Sequence, residues 1–173
     1  MKEIIVTRGG QKNPLIKEKD TFDSTIFVYN NNKLMFTANY VNTDFCKGYK
    51  GGIIKECSCY GIFYKRASGK MAFQLYNENF KTKKVKVSSR DCLSLRDITF
   101  TSLIPNPNQD MEKKIEAVLI HSDFYLGGAS HGCITIYPEE FNKFVKLFKI
   151  NEIVKVTITR DLNWTAPAIY EGN

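Results

Sequence analysis

The sequence predicts a mainly β fold, a sandwich or barrel with one conspicuous helix at about 138–149. Apolar residues fall in short runs rich in Val, Ile, Phe, Tyr and Thr with period-two stretches, which suits pleated, half-buried strands. A single stretch, PEEFNKFVKLFK, repeats its apolar residues at helical spacing instead. With 173 residues, 43% hydrophobic and 25% charged, the chain has the size and composition of one globular core and not of a disordered segment.

Residues 1–22 read as an N-terminal strand at 4–7 followed by a polar arm that Gly9, Gly10 and Pro14 keep irregular. The runs at 24–29 and 34–41 are separated by Asn30, Asn31, Asn32 and Lys33, which is hairpin turn chemistry. After Gly48, Gly51 and Gly52 come β-like runs at 53–64, 70–76, 84–88 and 95–103. A loop around Pro105 and Pro107 leads to a strand at 116–121, and another strand is expected at 133–137. In the helix, Pro138 suits the first helical position, and Glu139 and Glu140 favour the N-terminal dipole. Phe141, Phe144, Val145 and Phe148 form a core-facing stripe. A strand at 152–160 closes the domain. The organisation is therefore an N-terminal strand and arm (1–22), one main domain (23–161) and a tail (162–173) whose Trp164 is expected to dock on the core.

No apolar run is long enough for a membrane span or a signal-peptide core, so neither membrane insertion nor Sec export is expected. The formal net charge is +7, but the densest lysines, Lys81, Lys83, Lys84 and Lys86, alternate at their end with Val85 and Val87 as a solvated strand face would. No base-reading motif accompanies them, and no nucleic-acid partner is expected. Five cysteines, an odd number, argue for thiols and against a complete disulfide framework. Cys57 and Cys59 lack the spacing of a zinc ribbon and read as structural.

The two histidines of the chain both lie in the window from Ile120 to Thr135, together with Cys133. A thiol is a poor nucleophile until it is deprotonated, so a working cysteine needs a base beside it. If 117–121 and 133–137 are neighbouring strands, His121 and Cys133 face each other across the ladder, with Cα atoms about 4.5–5.5 Å apart. That makes Cys133 the nucleophile and His121 the base. His131, two residues from Cys133, takes a supporting role. Gly132 lets its own N–H and that of Cys133 converge on a developing oxyanion. Gly127 and Gly128 free the loop, which Phe124 and Tyr125 let cover the site. The alternative is that His121, His131 and Cys133 bind zinc with Cys57, Cys59 or Asp123.

The string Ser130-His131-Gly132-Cys133-Ile134, preceded by His121-Ser122, resembles the signature of the L,D-transpeptidase (YkuD-like) catalytic domain family. The strand-turn-strand opening STIFVYNNNKLMFTANYV, the Tyr60-Gly61-Ile62-Phe63 segment, and the helix and closing strand EIVKVTIT agree with it, over roughly residues 24–160. The resemblance implies an L,D-transpeptidase-like β-sandwich or barrel and a cysteine-dependent acyl transfer on peptidoglycan stem peptides through a Cys133 thioester, with no cofactor and no metal. Ser122 would orient His121, while Ser130, Tyr125, Gly128 and Thr135 would face the substrate. Thr135 stands where the family usually has arginine, so recognition of a substrate carboxylate is expected to differ. The interval from His121 to Ser130 is short. Stem-peptide amine, D-amino acid and water all stay open as acceptors. A monomer acting in the periplasm or cell wall follows, reached by a specialised secretion route if no leader is used. An interbacterial toxin with an immunity protein as its partner fits that route. Rival readings are a cysteine peptidase or amidase on another peptide, and a zinc- or wall-binding module.

Overall fold

A computed structural model describes residues 1–9, 24–43, 53–77, 93–102, 114–122 and 133–161. Among these residues the fold is mainly β, with one short helix. Strands β1 (Lys2–Arg8), β2 (Ser24–Asn30), β3 (Lys33–Asn42), β4 (Cys57–Lys65), β5 (Met71–Asn77), β8 (Leu119–His121), β9 (Ile134–Ile136) and β10 (Ile153–Arg160) close into one barrel in the order β1-β10-β4-β5-β8-β9-β3-β2. The short strands β6 (Thr99–Thr101) and β7 (Lys114–Glu116) form a separate two-stranded sheet. The N-terminal strand is a stave of the barrel, parallel to β10 and antiparallel to β2. The run expected at 84–88 and the tail with Trp164 lie outside the described residues.

Alternation fills the barrel. Ile4 and Val6, Ile26 and Val28, Val154, Val156 and Ile158 point inward with Phe63, Phe73, Leu75, Ile120, Ile134 and Ile136 into one buried cluster. Gly61 is required on β4, because a Cβ there would lie 3.0 Å from Phe73 Cδ1 and 3.3 Å from Val156 Cγ2. The β2–β3 hairpin turns on Asn31 (φ 48°) and Asn32 (φ 66°), a pair of left-handed residues whose twist matches that of the strands.

Helix α1 (Pro138–Phe144) is shorter than the sequence predicts, giving way to a 3-10 turn at Val145–Leu147. The tighter turn and the extended Phe148 swing that ring into the barrel end. There Phe73, Phe144 and Phe148 pack tilted or edge-to-face at centroid distances of 4.8–5.8 Å. The helix is also tied to β3. A bulge opposite Thr25 turns the Asn39 and Tyr40 amides outward, and the Glu140 carboxylate accepts from both, at 3.0 and 2.6 Å.

The opposite end is polar. Arg8 is fully buried, and its guanidinium donates to Thr43 Oγ1 (3.1 Å), to the Ile54 carbonyl and to Glu56 (3.5 Å). Two expected strands are broken. Over 95–98 the chain turns, because the Asp97 carboxylate accepts from both the amide and the hydroxyl of Ser94, and this local bonding outweighs β propensity. The run 116–121 is divided at Ala117 (φ 53°), so that β7 and β8 enter different sheets.

Candidate active site

β8 and β9 are neighbours in the barrel, as the sequence predicts, but they run parallel, with Ile120 level with Ile134 and His121 level with Thr135. Direct opposition of His121 and Cys133 is therefore corrected. In a hairpin the residues flanking the loop meet, whereas in a parallel pair the end of one strand and the start of the next lie apart along the ladder. Cys133 is level with Leu119, one same-face step from His121. Such diagonal neighbours have Cα atoms about 7–8 Å apart, still within reach of an imidazole.

The core fixes which way this pair points. Ile120, Ile134 and Ile136 face into the barrel, so Leu119, His121, Cys133 and Thr135 project from its outer face. Cys133 packs there against Tyr64, Ala72 and Leu119. Its sulfur accepts from the Leu119 amide at 3.4 Å, and the thiol donates toward the Ala117 carbonyl at 3.9 Å. The left-handed backbone at Ala117 turns that carbonyl to the sulfur, a strained conformation of the kind kept where geometry matters.

His121 is 8% exposed. The ladders extend its row across five strands: Tyr64 is level with Ala72, Ala72 with His121, His121 with Thr135, and Thr135 with Asn42. Thr135 and Asn42 are wholly buried, so Thr135 stands as a neighbour of the imidazole. Ser122 follows β8 and is half-buried. Ser130, His131, Gly132, Tyr125 and Gly128 lie outside the described residues, as do Asp123 and Gly127.

Sequence reasoning missed Gln74. It is wholly buried on the same outer face, level with Leu119, and its Nε2 donates to the Leu75 carbonyl (2.9 Å) and the Val118 carbonyl (3.4 Å). Its Oε1 has no hydrogen-bond partner among the described residues. A glutamine inside the apolar run MAFQLY was the available signal.

The zinc alternative loses two of its candidate ligands. Cys57 and Cys59 pack with the barrel interior, on the far side of the sheet from Cys133. Among the described residues no group of three or more His, Cys, Asp or Glu side chains is placed to hold a metal ion. Among the same residues no helix is long and apolar enough to cross a membrane. Compared with protein-family models, with curated proteins and with solved structures, the chain matches none.

Proposed function

We propose that the chain is a cysteine acyltransferase of the L,D-transpeptidase type, built on a YkuD-like fold and acting as a monomer on peptidoglycan stem peptides. The observation that carries the reading is the placement of Cys133 and His121 on one face of adjacent strands, the sulfur already receiving a backbone N–H. His121 takes the thiol proton, and the sulfur attacks the carbonyl carbon of the diamino acid that precedes the terminal D-alanine. The amides of Gly132 and Cys133 hold the oxyanion. Collapse breaks the C–N bond, His121 returns its proton to the departing amine, and a Cys133 thioester remains. A stem-peptide amine, a D-amino acid or water then loses its proton to His121 and displaces the sulfur.

Peptidoglycan lies outside the cytoplasm, so the site of action on this reading is the periplasm or cell wall. Delivery by a specialised route, as a toxin with an immunity protein, belongs to the same proposal. Recovery of the chain from cytoplasmic fractions alone would refute that part.

Intact-protein mass spectrometry tests the chemistry. Wild type and Cys133→Ala are incubated with a disaccharide tetrapeptide or a carbapenem. A covalent adduct on wild type alone, with D-alanine released from the tetrapeptide, is expected. No adduct and no turnover would overturn the assignment, and turnover of other peptides alone would redirect it to a peptidase or amidase.

A further inference from the structure

Gln74, Leu119 and Cys133 stand level on three consecutive strands, so Gln74 lies two strand spacings, about 10 Å, from the candidate nucleophile and does not touch it. One peptide unit joins them. The Val118–Leu119 peptide turns its N–H to the Cys133 sulfur (3.4 Å). On its other side the Val118 carbonyl accepts from the Leu75 amide (3.1 Å) and from Gln74 Nε2 (3.4 Å). Gln74 Nε2 also donates to the Leu75 carbonyl (2.9 Å), which ties its head group across the seam between β5 and β8.

This peptide lies at a weak point of the ladder. The chain has just left β7 through the left-handed Ala117, and β8 begins only at Leu119. Carbonyl and N–H share one plane, so whatever holds the Val118 carbonyl also aims the Leu119 N–H. Gln74 does so at a cost: it is wholly buried, and its Oε1 has no hydrogen-bond partner among the described residues. An apolar side chain of the same size would leave no acceptor unpaired, so a glutamine here points to a role other than packing.

We propose that Gln74 is a positioning residue for Cys133, holding the Val118–Leu119 peptide so that its N–H keeps the sulfur in one orientation. Packing of β8 and β9 sets where Cys133 stands, and the peptide sets how its side chain is turned. The inference rests on the reading of Cys133 as a nucleophile served by His121, because a base takes the thiol proton efficiently only from a sulfur held in one place.

The test compares wild type with Gln74→Met, which keeps the length of the side chain and removes its amide, and with Gln74→Leu. Urea unfolding should give midpoints equal to or above that of wild type. Cleavage after Lys114 and Lys143 yields a tryptic peptide in which Cys133 is the only cysteine. Alkylation of this cysteine by iodoacetamide at neutral pH should be about fivefold slower in the folded variants, the equivalent of one net hydrogen bond, and unchanged in the urea-unfolded chains. With the disaccharide tetrapeptide, kcat should fall by a similar factor and KM should stay, since Gln74 does not touch the substrate. The proposal is overturned if both variants alkylate like wild type, if reactivity falls only together with stability, or if neither variant folds, since packing would then account for the glutamine. If wild type itself turns over no tetrapeptide, the proposed function fails, and the alkylation rates alone decide on Gln74.

Discussion

Phe144→Ala measures how firmly the helix seals the barrel on which the candidate site is built. Phe144 is fully buried, and its ring contacts those of Phe36, Phe73, Phe141 and Phe148 at centroid distances of 6.4, 5.8, 5.9 and 5.1 Å. Truncation of a buried phenylalanine costs about 3–5 kcal/mol in lost transfer energy and residual cavity. Four ring partners place this site at the upper end, because each aromatic pair adds about 0.5–1.5 kcal/mol beyond its area, and neighbours anchored in strands cannot collapse into the gap. For a chain of this length, about 5 kcal/mol lowers the melting temperature by about 10–20 °C. Urea unfolding followed by circular dichroism gives the free energy directly, and an unchanged m value shows that the comparison is sound. A loss below about 1.5 kcal/mol, the range of a volume-conserving swap, would mean that the aromatic end of the barrel is not packed, and the reasoning would fail.

Three further outcomes follow from the same packing. Glu140→Ala strips the carboxylate from the bulge amides of Asn39 and Tyr40 and should cost about 1.5–3 kcal/mol in urea unfolding, the value of bonds to a charged acceptor; an unchanged midpoint would show that water serves the bulge equally well. Gly61→Ala should destabilise by about 1–3 kcal/mol through overpacking against Phe73, Val156 and Leu75, and a neutral result would mean that the interior is loose. The Tyr76 phenol is pushed well up, by burial first and then by Tyr60 and Cys59. The folded chain holds that proton more tightly than the unfolded chain, so this stability is fully present below the ordinary phenol value of about 10 and is lost as pH rises through the higher folded value. Unfolding free energies from about pH 9 to 12 should fall more steeply for wild type than for Tyr76→Phe, and parallel slopes would sink the argument.

The parts of the fold legible in the sequence are those fixed by local chemistry. Asn31 and Asn32 accept left-handed backbone, so the first hairpin could be read directly. Strand runs announced themselves by alternation, and the window from His121 to Cys133 pointed to adjacent strands. Relations that depend on distant partners stayed hidden. Whether β8 and β9 run parallel depends on the path between them, which no periodicity records. The bulge at Asn39 and Tyr40 has its partner about a hundred residues away in Glu140. Ser94 and Asp97 form a turn inside a run of strand-like composition, because two side-chain bonds settle locally what propensity leaves open. Arg8 reads as a surface cation until the barrel closes around it.

The position of the candidate nucleophile is guarded by residues that take no part in chemistry. On β8 and β9, alternate residues face opposite sides, so a slip of one residue in β9 would turn Cys133 and Thr135 into the barrel and Ile134 and Ile136 out of it. Each isoleucine lost from the core costs about 1.5–3 kcal/mol, so the slip forfeits about 3–6 kcal/mol before the buried threonine is counted. A domain of this kind is stable by only about 5–15 kcal/mol. The slipped register is therefore scarcely populated, and the sulfur is held beside Leu119 and diagonal to His121 by hydrophobic burial on the opposite face of the same strands. The hydrogen bond from the Leu119 amide, worth about 1 kcal/mol on its own, adds to this placement but does not set it.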